Sequence, residues 1–323
     1  MRTRRAGSFL AIVVLAACGG APPTPRGASP EASSPQSASP HETPPSAASP
    51  STEGEDQAHA PLRLATFNIQ VFGRAKAGKP EVMAKLAEIV RGYDLVAVQE
   101  VKDTSGEAPR RLLELVNAAA ANDNGTTYAL ALSPRTGREP DDLASQEQYA
   151  YYYRTDRLRV SGEPTLFDDA EHDYFQREPY LSRFELVDGH ATFVVINIHT
   201  RPRSAVSEIA AMEHVFAWAK AHFAGEDTFV AVGDFNAGCG YASEADLDAL
   251  PIHGTAYDWV VPHSADTNLA DSQCPYDRIV IAAPEGNRLV ERWGVDRAFH
   301  DRVISDHWPV WVELLWAPER PEN

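Results

Sequence analysis

Residues 62–315 carry a succession of short apolar, β-branched runs, and several of them adjoin small clusters of polar side chains. Leu95–Val98 stops at Gln99-Glu100, Thr192–Ile196 at Asn197-Ile198-His199 and Thr228–Val232 at Gly233-Asp234-Phe235-Asn236, while Ser305-Asp306-His307-Trp308-Pro309 leads into Val310–Leu315. Short apolar runs bounded by turn residues read as buried strands. A chain of this kind must pack its strands on both faces. It also places carboxylates, amides and imidazoles where loops meet a rigid sheet, which is where chemistry concentrates.

Leu62–Gln70 alternates as a half-buried strand should, and further strands are expected near 128–132, 149–154, 158–166, 180–187, 191–198, 276–282, 288–295 and 308–315. Helices are few. Pro80 suits the first turn of one whose inner face carries Val82, Leu86, Ile89 and Val90. A second covers about 107–121 with Leu112, Leu113, Leu115 and Val116 inward, and a short one covers 243–250. Ile209, Met212, Phe216, Ala219 and Phe223 recur at helical spacing over 204–223 and read as core. So many strands with so few helices do not suit a simple doubly wound sheet. The expected class is α/β, a four-layer sandwich of two packed, mainly antiparallel sheets flanked by helices.

The ends impose other roles. Arg2, Arg4 and Arg5 precede the apolar run Phe9–Ala17, too short to span a bilayer as a mature helix, so 1–17 reads as a signal peptide. Leu15-Ala16-Ala17-Cys18-Gly19 resembles the bacterial lipobox, in which Cys18 would be lipidated; the alternative is an ordinary secretory signal with an incidental cysteine. A lipobox would anchor the protein in a bacterial cell envelope, and Gly19, which is not the aspartate that by resemblance retains lipoproteins on the inner membrane, favours the outer membrane or cell surface. Residues 18–60, rich in Pro, Ser and Ala, cannot bury enough surface to offset their ordering entropy. They form a tether with a reach of roughly 35 Å. Residues 61–316 make one domain and 317–323 a disordered tail. Membrane contact is expected only through the N-terminal anchor, and the domain should act as a monomer.

The formal charge of −17, or −20 once those three arginines leave with the signal, excludes broad electrostatic capture of nucleic acid. Cations and local arginines would have to neutralise substrate phosphates. Cys239 and Cys274 remain as an even pair in an exported chain, either a disulfide closing a loop of about 35 residues or two free thiols.

The polar clusters define a chemistry. Glu100 ends a buried strand, where a carboxylate is costly unless paired or coordinating a cation, and Asn68 holds the matching place on the first strand. Oxygen ligands with waters suit Mg²⁺ or Mn²⁺. Glu147 and Asp277 each open a strand and could orient His199 and His307 through Nδ1–H, giving imidazoles able to take and give protons near neutral pH. Asp306 could position water or act as a base.

Together these segments resemble the endonuclease/exonuclease/phosphatase superfamily, and within it the deoxyribonuclease I family. The similarity runs through Phe67–Gly73, Tyr93–Val101, Arg177-Glu178-Pro179, Gly233–Cys239, Ser264–Thr267, Cys274–Val280 and Ile304–His307. It implies the sandwich fold and divalent-metal-dependent endonucleolysis of DNA, double-stranded by expectation, leaving 5′-phosphates. It also implies His199–Glu147 and His307–Asp277 as catalytic pairs, with Asn68, Glu100, Asp234 and Asp306 handling metal and Asp234 and Asp306 sharing in catalysis. By the same resemblance Arg177 and Asn236 would contact phosphate and Cys239–Cys274 would be a disulfide; Lys102 and Arg201 are further candidates for substrate contact on this chain's own residues. Asp169, Asp173, Phe175 (through its carbonyl) and Glu178 resemble one structural Ca²⁺ site, and Asp266 part of a second.

The sequence departs from the family where groove-entering side chains would stand. Lys102 and Ser145 replace an arginine and a tyrosine, and Gln70 replaces a basic residue, which weakens minor-groove engagement. Arg201 and Arg203 could compensate on the phosphates. Two other functions fit the same residues less fully: a sphingomyelinase-type phospholipid phosphodiesterase, which lacks support from any protruding apolar hairpin, and a catalytically silent surface-binding module.

Overall fold

The computed structural model describes residues 60–120, 125–137, 143–189, 191–284 and 289–316. The signal peptide with Cys18, the tether as far as residue 59 and the tail 317–323 lie outside the described residues. In chain order the elements are β1 (Leu62–Phe72), α1 (Arg74–Ala77), α2 (Pro80–Arg91), β2 (Leu95–Val101), α3 (Glu107–Ala120), β3 (Tyr128–Leu132), β4 (Gln148–Arg154), β5 (Leu158–Val160), β6 (Thr165–Leu166), β7 (Tyr180–Leu186), β8 (Thr192–His199), α4 (Ala205–His222), β9 (Phe229–Asp234), α5 (Glu244–Asp248), β10 (Asp258–Trp259), β11 (Asp277–Ala282), β12 (Val290–Val295) and β13 (Val310–Leu314).

One sheet runs β12-β13-β1-β2-β4-β3; the other runs β10-β11-β9-β8-β7-β5, with β6 beside β7. Pairing is antiparallel except for β1 with β2 and β8 with β9. Side chains alternate between faces with the strand period of two. Leu62, Leu64, Leu95, Ala97, Val310 and Val312 meet Phe193, Val195, Val230, Val232 and Ile279 between the sheets. Phe67, Ile69, Val96 and Val98 point the other way, against Leu86, Ile89 and Val90 of α2 and Leu112 and Val116 of α3. Val194, Ile196, Ile198 and Ala231 likewise pack against Ile209, Met212, Val215 and Ala219 of α4. Three apolar cores therefore separate four layers, the expected sandwich.

The expected strand 158–166 is two short strands. Gly162 takes φ +88 and Pro164 follows, and neither suits an uninterrupted ladder. Cys239 and Cys274 are joined, with Cα atoms 5.7 Å apart. The bridge ties the loop after β9 to the segment entering β11. Closing a loop of 35 residues stabilises by roughly 3–4 kcal/mol in the chain-entropy account.

Candidate active site

Register builds half of the site. The parallel pairing of β8 and β9 sets His199 beside Asp234, and the antiparallel pairing of β9 and β11 sets Asp277 on the other side of Asp234. Three reactive residues thus occupy one row across three strands. Gly233 makes that row possible: at φ +150, a Cβ on it would lie 1.8 Å from the carbonyl oxygen of Ile198. In the other sheet, regular β1–β2 pairing breaks after Asn68↔Gln99. Gln70, Val71 and Glu100 take φ of +50, +49 and +63. Such irregularities re-aim side chains. Here the Val71 N–H donates to Glu100 Oε2 at 2.8 Å while Glu100 Oε1 lies 3.1 Å from Asn68 Nδ2.

The two sheets meet at a pair of histidines. His199 Nδ1 lies 2.8 Å from Glu147 Oε1, and His307 Nδ1 lies 2.8 Å from Asp277 Oδ2. Each Nδ1–H donates to its carboxylate, which directs each Nε2 inward. Both Nε2 atoms then approach the same oxygen, Asp234 Oδ2, at 3.6 and 3.7 Å. Asn68 Nδ2 donates to that oxygen at 3.0 Å. The imidazoles, 108 positions apart in the sequence, therefore flank one buried carboxylate.

Burial opposes the charge on His307, but Asp277 and Asp234 outweigh it and raise the pKa to about 10. Burial also opposes ionisation of Glu147, where His199, Arg177 and Lys102 overcome it and hold the carboxyl below its usual range. Asp234 is likewise lowered, burial being outweighed by the two histidines and by donors from Asn236 and Asn68. These are ionised, tightly paired groups.

Several expected substrate contacts are placed differently. Arg177 is 5% exposed, and its Nε and Nη2 donate to the carbonyls of His199 and Thr200 at 2.9 Å. It therefore braces the end of β8 from beneath instead of presenting its fork to phosphate. Lys102 Nζ sits 3.0 Å from Glu147 Oε2 and supports the carboxylate behind His199. Asn68 turns its amide nitrogen, not its oxygen, to Asp234 and Glu100, because Oδ1 accepts the Gln70 N–H at 2.9 Å. It orients carboxylates. Asn236 donates its Nδ2 to the Thr200 carbonyl at 3.0 Å, beside the site. The Arg201 side chain is half-buried just past His199, and Asp306 directly precedes His307.

The calcium expectations divide. Asp169 Oδ2 accepts the Phe175 N–H at 2.8 Å, and Asp169 Oδ1 is buried without a hydrogen-bond partner among the described residues. Glu178, however, accepts from the Thr136 hydroxyl, and the carboxylates of Asp169, Asp173 and Glu178 do not form a close group. Asp266 lies 3.6 Å from Arg297 Nη2 and accepts from the Cys274 N–H, so its charge is met by the protein.

Three supporting groups were not legible as such. Gln99 Nε2 donates to Asn197 Oδ1 at 2.7 Å and to Thr66 Oγ1 at 2.9 Å, joining the sheets below the histidines. Ser305 Oγ donates to the Asn68 carbonyl at 2.6 Å and accepts the His307 N–H at 3.1 Å. Glu208, inside α4, accepts the Arg201 N–H at 2.9 Å and the Gln176 N–H at 3.4 Å. An acidic residue inside an apolar helical stripe was the only signal available for it.

Burial, only partly offset by those donors, raises the Glu208 pKa to about 7. The folded chain thus keeps a proton that the unfolded chain loses near pH 4.5, and stability falls as pH rises through that window. Glu208→Gln removes this titration. Relative to the parent, the variant should gain about 3 kcal/mol between pH 4.5 and pH 7. Denaturation curves that differ by the same amount at both pH values would contradict the assignment.

The donors fit a hard cation. Glu100 and Asp234 converge on one amide, Asp277 offers a further carboxylate oxygen close to Asp234, and Asp277 Oδ1 has no hydrogen-bond partner among the described residues. Carboxylate oxygens of this kind suit Mg²⁺ or Mn²⁺. Asp248, His253 and His263 form a second close group. There Arg278 Nη2 donates to His263 Nδ1 at 3.3 Å, so His263 Nε2 carries its proton and faces Asp248 as a donor. That group is a hydrogen-bonded cluster.

Residues 65–307 match the Endonuclease/Exonuclease/phosphatase family. Human deoxyribonuclease-1-like 2 is 32% identical over 293 residues, covering 79% of this chain and 92% of the relative. Dog deoxyribonuclease-1 is 31% identical over 277 residues, covering 81% and 94%. Among solved structures, an endonuclease/exonuclease/phosphatase family protein from Bacteroides thetaiotaomicron superposes with a TM-score of 0.54 at 16% identity, covering 82% of this chain and 99% of the other. A mannosyl-6-phosphatase from the same organism gives 0.52 at 18% identity, covering 79% and 100%. These two likenesses concern the fold.

Proposed function

Since this chain belongs to the endonuclease/exonuclease/phosphatase family, we propose that it is a divalent-metal-dependent endonuclease that hydrolyses DNA to 5′-phosphate ends. The observation that carries this reading is the pair of carboxylate-backed imidazoles whose Nε2 atoms flank Asp234 Oδ2 at 3.6 and 3.7 Å. In-line attack on a phosphodiester needs a proton taken on one side of phosphorus and given on the other, and this arrangement supplies both. The deoxyribonuclease relatives support DNA as substrate.

His307, held protonated by Asp277 and Asp234, donates to the leaving 3′-oxygen. His199, with Glu147 fixing its Nδ1–H, accepts the proton of the attacking water at Nε2. Glu100, Asp234 and Asp306 would hold the cation, with Asn68 orienting the first two. A Mg²⁺ or Mn²⁺ ion held there would supply neutralisation of the charge that develops on the phosphoryl and leaving oxygens. Arg201 and Arg203 contact flanking phosphates. The domain works as a monomer on double-stranded DNA outside the cell, tethered by lipid on Cys18.

Incubation of the purified full chain with supercoiled plasmid and Mg²⁺, with and without chelator, tests the activity. Chelator-sensitive nicking with ligatable 5′-phosphate ends is expected. Sphingomyelin turnover without nicking would transfer the site to a phospholipid substrate, and turnover of neither would leave a binding module.

A further inference from the structure

Lys76 lies in α1, only 9% exposed, and its ammonium is surrounded by backbone oxygen. Nζ donates to the carbonyls of Ile69 at 2.7 Å and Ile304 at 2.8 Å and to that of Gln70. Three donors meet three acceptors, so the desolvation that makes a buried cation costly is largely offset. Glu100 and Asp306 favour the charged form, although burial still dominates and lowers the pKa to about 8.

The three carbonyls belong to the two segments that shape the cation end of the site. Ile69 and Gln70 lead into the positive-φ turn that aims the Val71 N–H at Glu100 Oε2. Ile304 precedes Ser305, which bonds the Asn68 carbonyl and receives the His307 N–H. One ammonium thus ties the β1 turn, and through it the Glu100 carboxylate, to the loop that carries Asp306 and His307.

We propose that Lys76 is a positioning residue: by clamping the carbonyls of Ile69, Gln70 and Ile304 together, it sets the spacing between Glu100 and the Asp306-His307 loop on which cation binding depends. This rests on the metal-dependent phosphodiesterase reading above. Residues that orient metal ligands from behind typically govern metal affinity or activity by about 10–100-fold. A residue that merely supports the fold would not single out the cation.

The test is calorimetric titration of Mg²⁺ into the full chain, with plasmid nicking measured on the same preparations. Lys76→Met should weaken Mg²⁺ binding at least about fivefold and lower kcat about tenfold. Its KM for DNA should stay within about twofold of the parent. A folded Lys76→Met with parental Mg²⁺ affinity would overturn the proposal. Lys76→Arg keeps a cation but replaces a compact three-donor head with a longer planar fork, and should weaken Mg²⁺ binding at least about threefold. Parental affinity in that variant would overturn the proposal even if Lys76→Met failed to fold. Mg²⁺ binding that separates the variants while the parent nicks no DNA would count against the reaction, not against the clamp.

Discussion

His199→Ala and His307→Ala are each expected to lower plasmid-nicking kcat by about 10³-fold, with KM changed only a few-fold. Each removes one proton-transfer partner and leaves the other in place. If both imidazoles serve a single displacement, the double variant should lose far less than the product of the two single losses. The stability consequences differ and provide a separate check. In His199→Ala, Glu147 retains Lys102 at 3.0 Å and Arg177 at 3.6 Å, so Tm should move little. In His307→Ala, Asp277 loses the ring bonded to it at 2.8 Å, and an unpaired buried carboxylate costs about 1–3 kcal/mol near neutral pH. Parental nicking by either variant would remove that residue from the mechanism.

Gly233→Ala should destabilise the fold by about 4 kcal/mol or more, at the upper end of single substitutions. Its Cβ would stand 1.8 Å from the Ile198 carbonyl oxygen, which is backbone in the adjoining parallel strand and has no rotamer by which to yield. Strands β8 and β9 would have to separate at the residues that hold His199 and Asp234 in register. Gly162→Ala provides the control. Gly162 takes φ +88 but has nothing within 4 Å of an added Cβ, so only backbone strain of about 1 kcal/mol is incurred. Denaturant midpoints should separate the two clearly. Equal shifts would show that close strand approach at Gly233 does not matter.

The architecture was legible because it depends on local patterning. The apolar runs ending in Gln99-Glu100, Asn197-Ile198-His199 and Asp234 are the strands that converge, and the stripe Ile209, Met212, Phe216 and Ala219 is the face of α4 against its sheet. That Glu147 and Asp277 could each orient an imidazole was legible because each opens a strand, whereas which histidine each backs came from the family resemblance. What the sequence could not give was direction. Arg177 and Lys102 are of the right type to meet phosphate, yet both turn inward to the end of β8 and to Glu147. Which way a long cationic side chain points depends on packing several strands away, and no spacing rule reports that. Asn68 shows the same limit, since a backbone donor two residues on decides which end of its amide faces Asp234 and Glu100. Glu208 and Lys76 escaped notice for a further reason: their partners are backbone atoms, which leave no trace in residue identity.

The division of labour between the histidines is the central claim, and changing the leaving group tests it most directly. In a thymidine 5′-phosphodiester carrying p-nitrophenol in place of the preceding nucleoside, whose 3′-oxygen would depart, the leaving oxygen needs no proton. His307→Ala should then recover at least about tenfold of its deficit on this ester relative to DNA, whereas His199→Ala should lose equally on both. Equal losses for the two variants on both substrates would contradict the account.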